Sequence, residues 1–98
     1  MRGYLCFPVV HFKHKGKKKK QELLSNNLPH IIDIDDWWDY WFKIGKYTYQ
    51  LCGDCEKKKR LFRNLVIYVY PAKDDYTDDD RIEEIREGIT ISFEPRKD

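Results

Sequence analysis

The alternation of apolar and polar positions cuts the chain into short strand-like segments. Residues 64–70 carry the strongest signal. Leu65, Ile67 and Val69 fall on one face of an extended chain, and Val66, Tyr68 and Tyr70 on the other. Two apolar faces predict a central strand, which Pro71 closes. Residues 89–93, Ile-Thr-Ile-Ser-Phe, alternate cleanly and predict a half-exposed strand. Residues 4–13 also read as a strand. Pro8 lies inside it and lacks an N–H donor, which favours an edge position or a bulge. Residues 21–27 suggest one or two helical turns, stopped by Asn26, Asn27 and Pro29, and residues 30–34 a short strand.

Two readings compete over residues 35–51. As a hairpin, Gly45-Lys46 is a two-residue turn with Gly at its first central position, as type II′ prefers. Ile44 then faces Tyr47, Phe42 faces Tyr49 and Tyr40 faces Leu51. As a helix, Trp38, Trp41 and Phe42 share a face and Gly45 follows the last turn. The aromatic and Thr content favours the hairpin.

The predicted helix spans residues 77–87. Thr77-x-x-Asp80 resembles a capping box, and Asp78 and Asp79 sit where the helix dipole favours anions. Ile82 and Ile85 supply the buried stripe, and Gly88 stands where a C′ residue of positive φ belongs. The expected architecture is α+β: a small, mainly antiparallel sheet with this helix packed on one face. Residues 64–70, the helix and residues 89–93 make a β-α-β unit, which pairs in parallel if its strands are neighbours.

Ninety-eight residues make one domain, here with a basic loop at 13–20 and a flexible tail at 94–98. The core must come from few, large residues: three Trp, seven Tyr and five Phe. The 37% charged share exceeds the roughly 25% of soluble domains. No apolar run approaches the ~20 residues of a membrane span, and the start lacks the length and cleavage site of a signal peptide. The expected location is cytoplasmic, or the host cytoplasm for a viral protein.

A net charge of +2 conceals strong blocks. Residues 1–20 hold Lys13, Lys15, Lys17, Lys18, Lys19 and Lys20 and no acid; Lys57, Lys58, Lys59, Arg60 and Arg63 form a second basic block around Phe62. Residues 74–87 are acidic. Like charges held close face solvent or a partner of opposite sign. The basic blocks suit phosphates, and Phe62, Trp37, Trp38 or Trp41 could stack on bases. No helix-turn-helix, RNA-recognition signature or paired zinc finger is present.

Three cysteines do not make a complete disulfide framework. Cys52-Gly-Asp-Cys55 has the spacing of half a zinc site, for which His11 and His14 are the nearest candidate partners in type, with Cys6 and His30 behind them. Asp33, Asp35 and Asp36 are candidate carboxylates for a two-metal nuclease. His11, His14 and His30 are candidates for acid–base cleavage of RNA. The leading reading is a nucleic-acid-binding accessory or regulatory protein, DNA or RNA, using residues 13–20 and 57–63, with Cys52 and Cys55 as a candidate structural zinc site, a disulfide or free thiols. The second is a protein-binding inhibitor or regulator from a virus or mobile element that uses the acidic helix or the aromatic segment. A small metal-dependent nuclease is third, and a non-enzymatic role is favoured over catalysis.

Overall fold

The computed structural model describes residues 6–23, 37–56, 61–73 and 77–95. They form β1 (Cys6–His14), β2 (Lys17–Glu22), β3 (Trp37–Ile44), β4 (Tyr47–Glu56), β5 (Leu61–Pro71), a 3-10 turn (Asp78–Asp80), β6 (Glu83–Ile85) and β7 (Thr90–Pro95). The strands make two antiparallel sheets, ordered β2-β1-β7 and β3-β4-β5-β6. The sheets meet through one aromatic core. Val10 and Phe12 of the first pack with Tyr40, Phe42, Tyr49, Leu51, Ile67, Val69 and Ile85 of the second. The Phe12 ring lies edge-on to Tyr49 at 5.1 Å and to Phe42 at 6.0 Å. Among the described residues no helix is long and apolar enough to cross a membrane.

The α+β expectation is overturned. Residues 77–87 hold a single 3-10 turn and a short strand instead of a helix. The local start signal is real: Asp80 accepts hydrogen bonds from the Thr77 backbone N–H at 2.8 Å and from its hydroxyl at 3.3 Å. Propagation fails because the edge of β5 takes the chain. The Ile82 N–H donates to the Val69 carbonyl at 2.7 Å, and β6 continues antiparallel along Ile67 to Val69. A helix with only Ile82 and Ile85 on its apolar stripe buries little. The strand buries Ile85 and also satisfies the polar edge of β5. Gly88 has the anticipated positive φ, +76°, but in a bend between β6 and β7. The parallel β-α-β unit is absent as well, since β7 crosses to the other sheet and pairs antiparallel with β1.

Other elements follow the chain's patterning. β3 and β4 form the hairpin in the register Ile44–Tyr47, Phe42–Tyr49, Tyr40–Leu51, and Gly45 has φ +62°. β5 is an inner strand with Ile67 and Val69 buried on one face and Val66 and Tyr70 on the other. Pro8 lies in the middle strand of its sheet rather than at an edge or bulge. β2 pairs with β1 only from Val9 onward, so the missing N–H of Pro8 falls where β2 runs out; its carbonyl accepts from Leu23 N–H at 2.9 Å. The segment read as a basic loop, 13–20, is the end of β1, a turn and most of β2. Lys15 at φ +55° and Gly16 at φ +80° give the two positive values that a type I′ hairpin turn demands. The segments 24–36, 57–60 and 74–76 lie outside the described residues, and with them the short strand predicted at 30–34.

Candidate nucleic-acid interface

The β1–β2 hairpin concentrates the first basic block. Lysine is a poor strand former in isolation, so this strand exists because β1 offers it a paired ladder. The register sets His14 opposite Lys17, Lys13 opposite Lys18, Phe12 opposite Lys19 and His11 opposite Lys20. Strand alternation sorts the lysines. Lys13, Lys18 and Lys20 lie on the outer face of the sheet with His11. Lys17 and Lys19 lie on the side of His14 and Phe12, which packs on the second sheet. Lys13, Lys17, Lys18 and Lys20 are exposed and Lys19 is half-buried. Among the described residues none of these five forms an ion pair.

Two carboxylates border this cluster, Glu22 of β2 and Glu94 of β7, and the charge of Lys20 acts on Glu94. Glu94 of β7 accepts from Ser92 Oγ at 2.6 Å and from His11 Nε2 at 2.7 Å. These bonds, the Ser92 one first, hold its carboxyl below the usual range. Lys15, a predicted phosphate ligand, turns away. Its Nζ donates to the Tyr47 hydroxyl at 3.1 Å and sits 5.4 Å from that ring's centre, and the hydrogen bond raises its pKa. Lys13 belongs to the site although it lies before the Lys run. Recognising Lys15-Gly16 as a hairpin turn is the signal that places it opposite Lys18.

The second basic block is not brought to this cluster as far as it is described. Lys57, Lys58, Lys59 and Arg60 lie outside the described residues. Phe62 is half-buried, its ring 6.0 Å from Phe93, the β7 residue opposite Pro8. Lys13 is five positions further along β1, about 17 Å away at strand spacing. Arg63 is exposed, with its guanidinium 3.7 Å from Asp54.

The remaining candidates separate. His14 is buried between the sheets. Its Nε2 lies 3.1 Å from Glu83 and its Nδ1 2.9 Å from the Tyr49 hydroxyl. A carboxylate only accepts, so Nε2–H donates to Glu83, and Nδ1 accepts from Tyr49 O–H. This relay ties β1, β4 and β6 together, and no sequence motif announced it. Burial, with the nearby Tyr47 and Glu83 behind it, pushes the Tyr49 hydroxyl up to about 12. His11 is held by β7 on the opposite side of β1, so His11 and His14 do not converge.

Cys52 and Cys55 lie within β4 rather than on a turn, where positions three apart are about 10 Å apart along the strand. The side chains of Cys55 and Cys6, and all of His30, Asp33, Asp35 and Asp36, lie outside the described residues. Among the described residues no group of three or more His, Cys, Asp or Glu is placed to hold a metal ion. Cys52 is half-buried, lining a shallow depression on the outer face of the second sheet with Asn64, Leu65, Val66, Tyr68 and Arg86. Burial, then Asp39, pushes its thiol up to about 11, so it is protonated at neutral pH and a poor nucleophile.

Within the acidic segment, Asp80 pairs with Lys73 at 2.8 Å, Glu84 pairs with Arg86 at 2.7 Å and Arg81 at 3.2 Å, and Glu83 accepts a hydrogen bond from His14. No family model matches this sequence, and no curated protein and no solved structure matches it either.

Proposed function

We propose that the protein binds nucleic acid through phosphate contacts made by Lys13, Lys17, Lys18, Lys19 and Lys20 of the β1–β2 ribbon. The observation that carries this reading is the rung Lys13–Lys18. Like charges directly opposite on one face of a ladder are destabilising. Lysines on an edge strand commonly serve to blunt that edge against pairing. That role accounts for β2, but not for Lys13, which stands on the middle strand of the sheet. A polyanion laid on this face relieves the repulsion and releases its own counterions. Asp80 and Glu84 are engaged by Lys73, Arg81 and Arg86, which takes two carboxylates from the inhibitor reading.

The test is fluorescence anisotropy with labelled DNA and RNA across a salt series. Binding should weaken steeply with salt, each phosphate contact adding about 0.9 to the log–log slope on duplex DNA or about 0.7 on a single strand. Lys13→Gln should weaken binding without loss of stability. No binding to any DNA or RNA at low salt overturns the proposal.

A further inference from the structure

We infer that the partner of the ribbon is duplex DNA, straddled at a groove by lysines on both sides of the β2 edge and held without regard to sequence; this rests on the nucleic-acid reading above. β2 is the outer strand of its sheet among the described residues. Its lysines alternate across that edge, Lys18 and Lys20 to the outer side, Lys17 and Lys19 to the inner. An edge with cations on both sides meets two opposed rows of phosphates, and the walls of a duplex groove are such rows. The B-DNA major groove, about 12 Å wide, admits a two-stranded β-ribbon.

A single strand is a poorer fit. Proteins that hold single strands add aromatic platforms to their cations. The ribbon's outer rings are not open platforms: Phe7 is half-buried and His11 is bound to Glu94 at 2.7 Å. Phe12 is 3% exposed, and Trp41, at 45%, stands on the outer face of the other sheet. The major groove of A-form RNA is deep and narrow, closed to side chains. Indifference to sequence follows from the side chains present. Bidentate readers are Asn or Gln on adenine and Arg or Lys on guanine, and of these lysine lacks the planar fork that fixes the geometry. Lysine is a point charge, and the one amide of the ribbon, Gln21, donates to the Glu22 carbonyl at 3.1 Å.

The experiment compares a short duplex DNA, each of its strands, a scrambled duplex and the matching RNA duplex, all against the full chain. The DNA duplex should bind about tenfold or more tighter than either strand or the RNA, and the scrambled duplex within about twofold of it. Lys18→Gln with Lys20→Gln, and separately Lys17→Gln with Lys19→Gln, should each lower the salt slope on duplex DNA by about 1.8, two contacts' worth. Thermal unfolding of both variants, at or above the parent's, checks that they fold. A preference for single strands or RNA, a strong effect of scrambling, or a Lys17/Lys19 variant that binds like the parent overturns the straddled duplex and leaves the nucleic-acid reading standing. Failure to bind any of the probes overturns both.

Discussion

Replacing Tyr49 by Phe tests the buried relay with a single oxygen. The ring stays, so its stacking on Phe42 at 5.5 Å and its edge contact with Phe12 at 5.1 Å remain. What is lost is the O–H donated to His14 Nδ1 at 2.9 Å. His14 is 2% exposed, so water cannot replace that donor. An orphaned buried acceptor costs about 1–3 kcal/mol, well above the net worth of an ordinary hydrogen bond. In a chain of this size each kcal/mol lowers the melting temperature by about 4–8 °C. Urea unfolding at neutral pH, followed by tryptophan fluorescence, should show a lower midpoint with an unchanged slope. Adding His14→Phe should cost less than the sum of the two single changes, with a coupling of about 0.5–3 kcal/mol. The relay also makes a pH prediction. The fold raises the Tyr49 pKa from 10 to about 12, so it favours the neutral phenol. That contribution is complete below pH 10 and is lost as pH rises from 10 toward 12. Tyr49→Phe should lack this alkaline loss. A variant within about 0.3 kcal/mol of the parent, with the same alkaline profile, would refute the reasoning, since an unpaired buried acceptor cannot be that cheap.

Three further outcomes are expected. Gly53→Ala should destabilise by about 1–3 kcal/mol in urea unfolding, as overpacking does; its methyl would stand 2.6 Å from Leu65 Cδ2 and 3.0 Å from the Arg63 carbonyl. Peptide mapping after alkylation should find Cys52 slow to react at neutral pH, its rate rising toward pH 11, and Asp39→Asn should quicken it by removing a charge that opposes the thiolate. Lys13→Gln should stabilise the protein by about 0.2–1 kcal/mol in the same unfolding assay, because the Lys13–Lys18 repulsion disappears.

The β3–β4 hairpin and the buried β5 were legible in the sequence because local and tertiary preferences agree there. Gly45 supplies the positive φ its turn requires, and residues 65–70 offer an apolar surface to both sides. The helix over 77–87 misled because its cue is local and its outcome tertiary. Thr77 and Asp80 do form the cap, one turn long, and then the open edge of β5 takes Ile82. The lysine strand was hidden for a related reason. Lys17 to Lys20 have no strand propensity of their own, and Lys15, in the left-handed region without being Gly or Asn, disguises its turn. Of the candidate site, the lysines were visible as charge. Their division between two sides of an edge depends on the register with β1, and the join of Glu83, His14 and Tyr49 depends on how two sheets meet, which no spacing along the chain encodes.

The pairing of β7 with β1 also bears on the order in which the molecule assembles. β3, β4 and β5 are joined in sequence, so each pairing closes only a short length of chain. Cys6 and Pro95, neighbours in the first sheet, lie at opposite ends of the described chain. Bringing them together costs more chain entropy than any pairing in the meander, and that cost is repaid only once a surface exists for Val10, Phe12 and Ile91 to cover. The meander is therefore the part of the fold that closes most cheaply, and the β1–β7 clasp the part that closes at the greatest cost in chain entropy. Until the clasp closes, Phe42 and Tyr49 lack the Phe12 that covers them in the finished fold, and the lysine ribbon has no sheet to stand on.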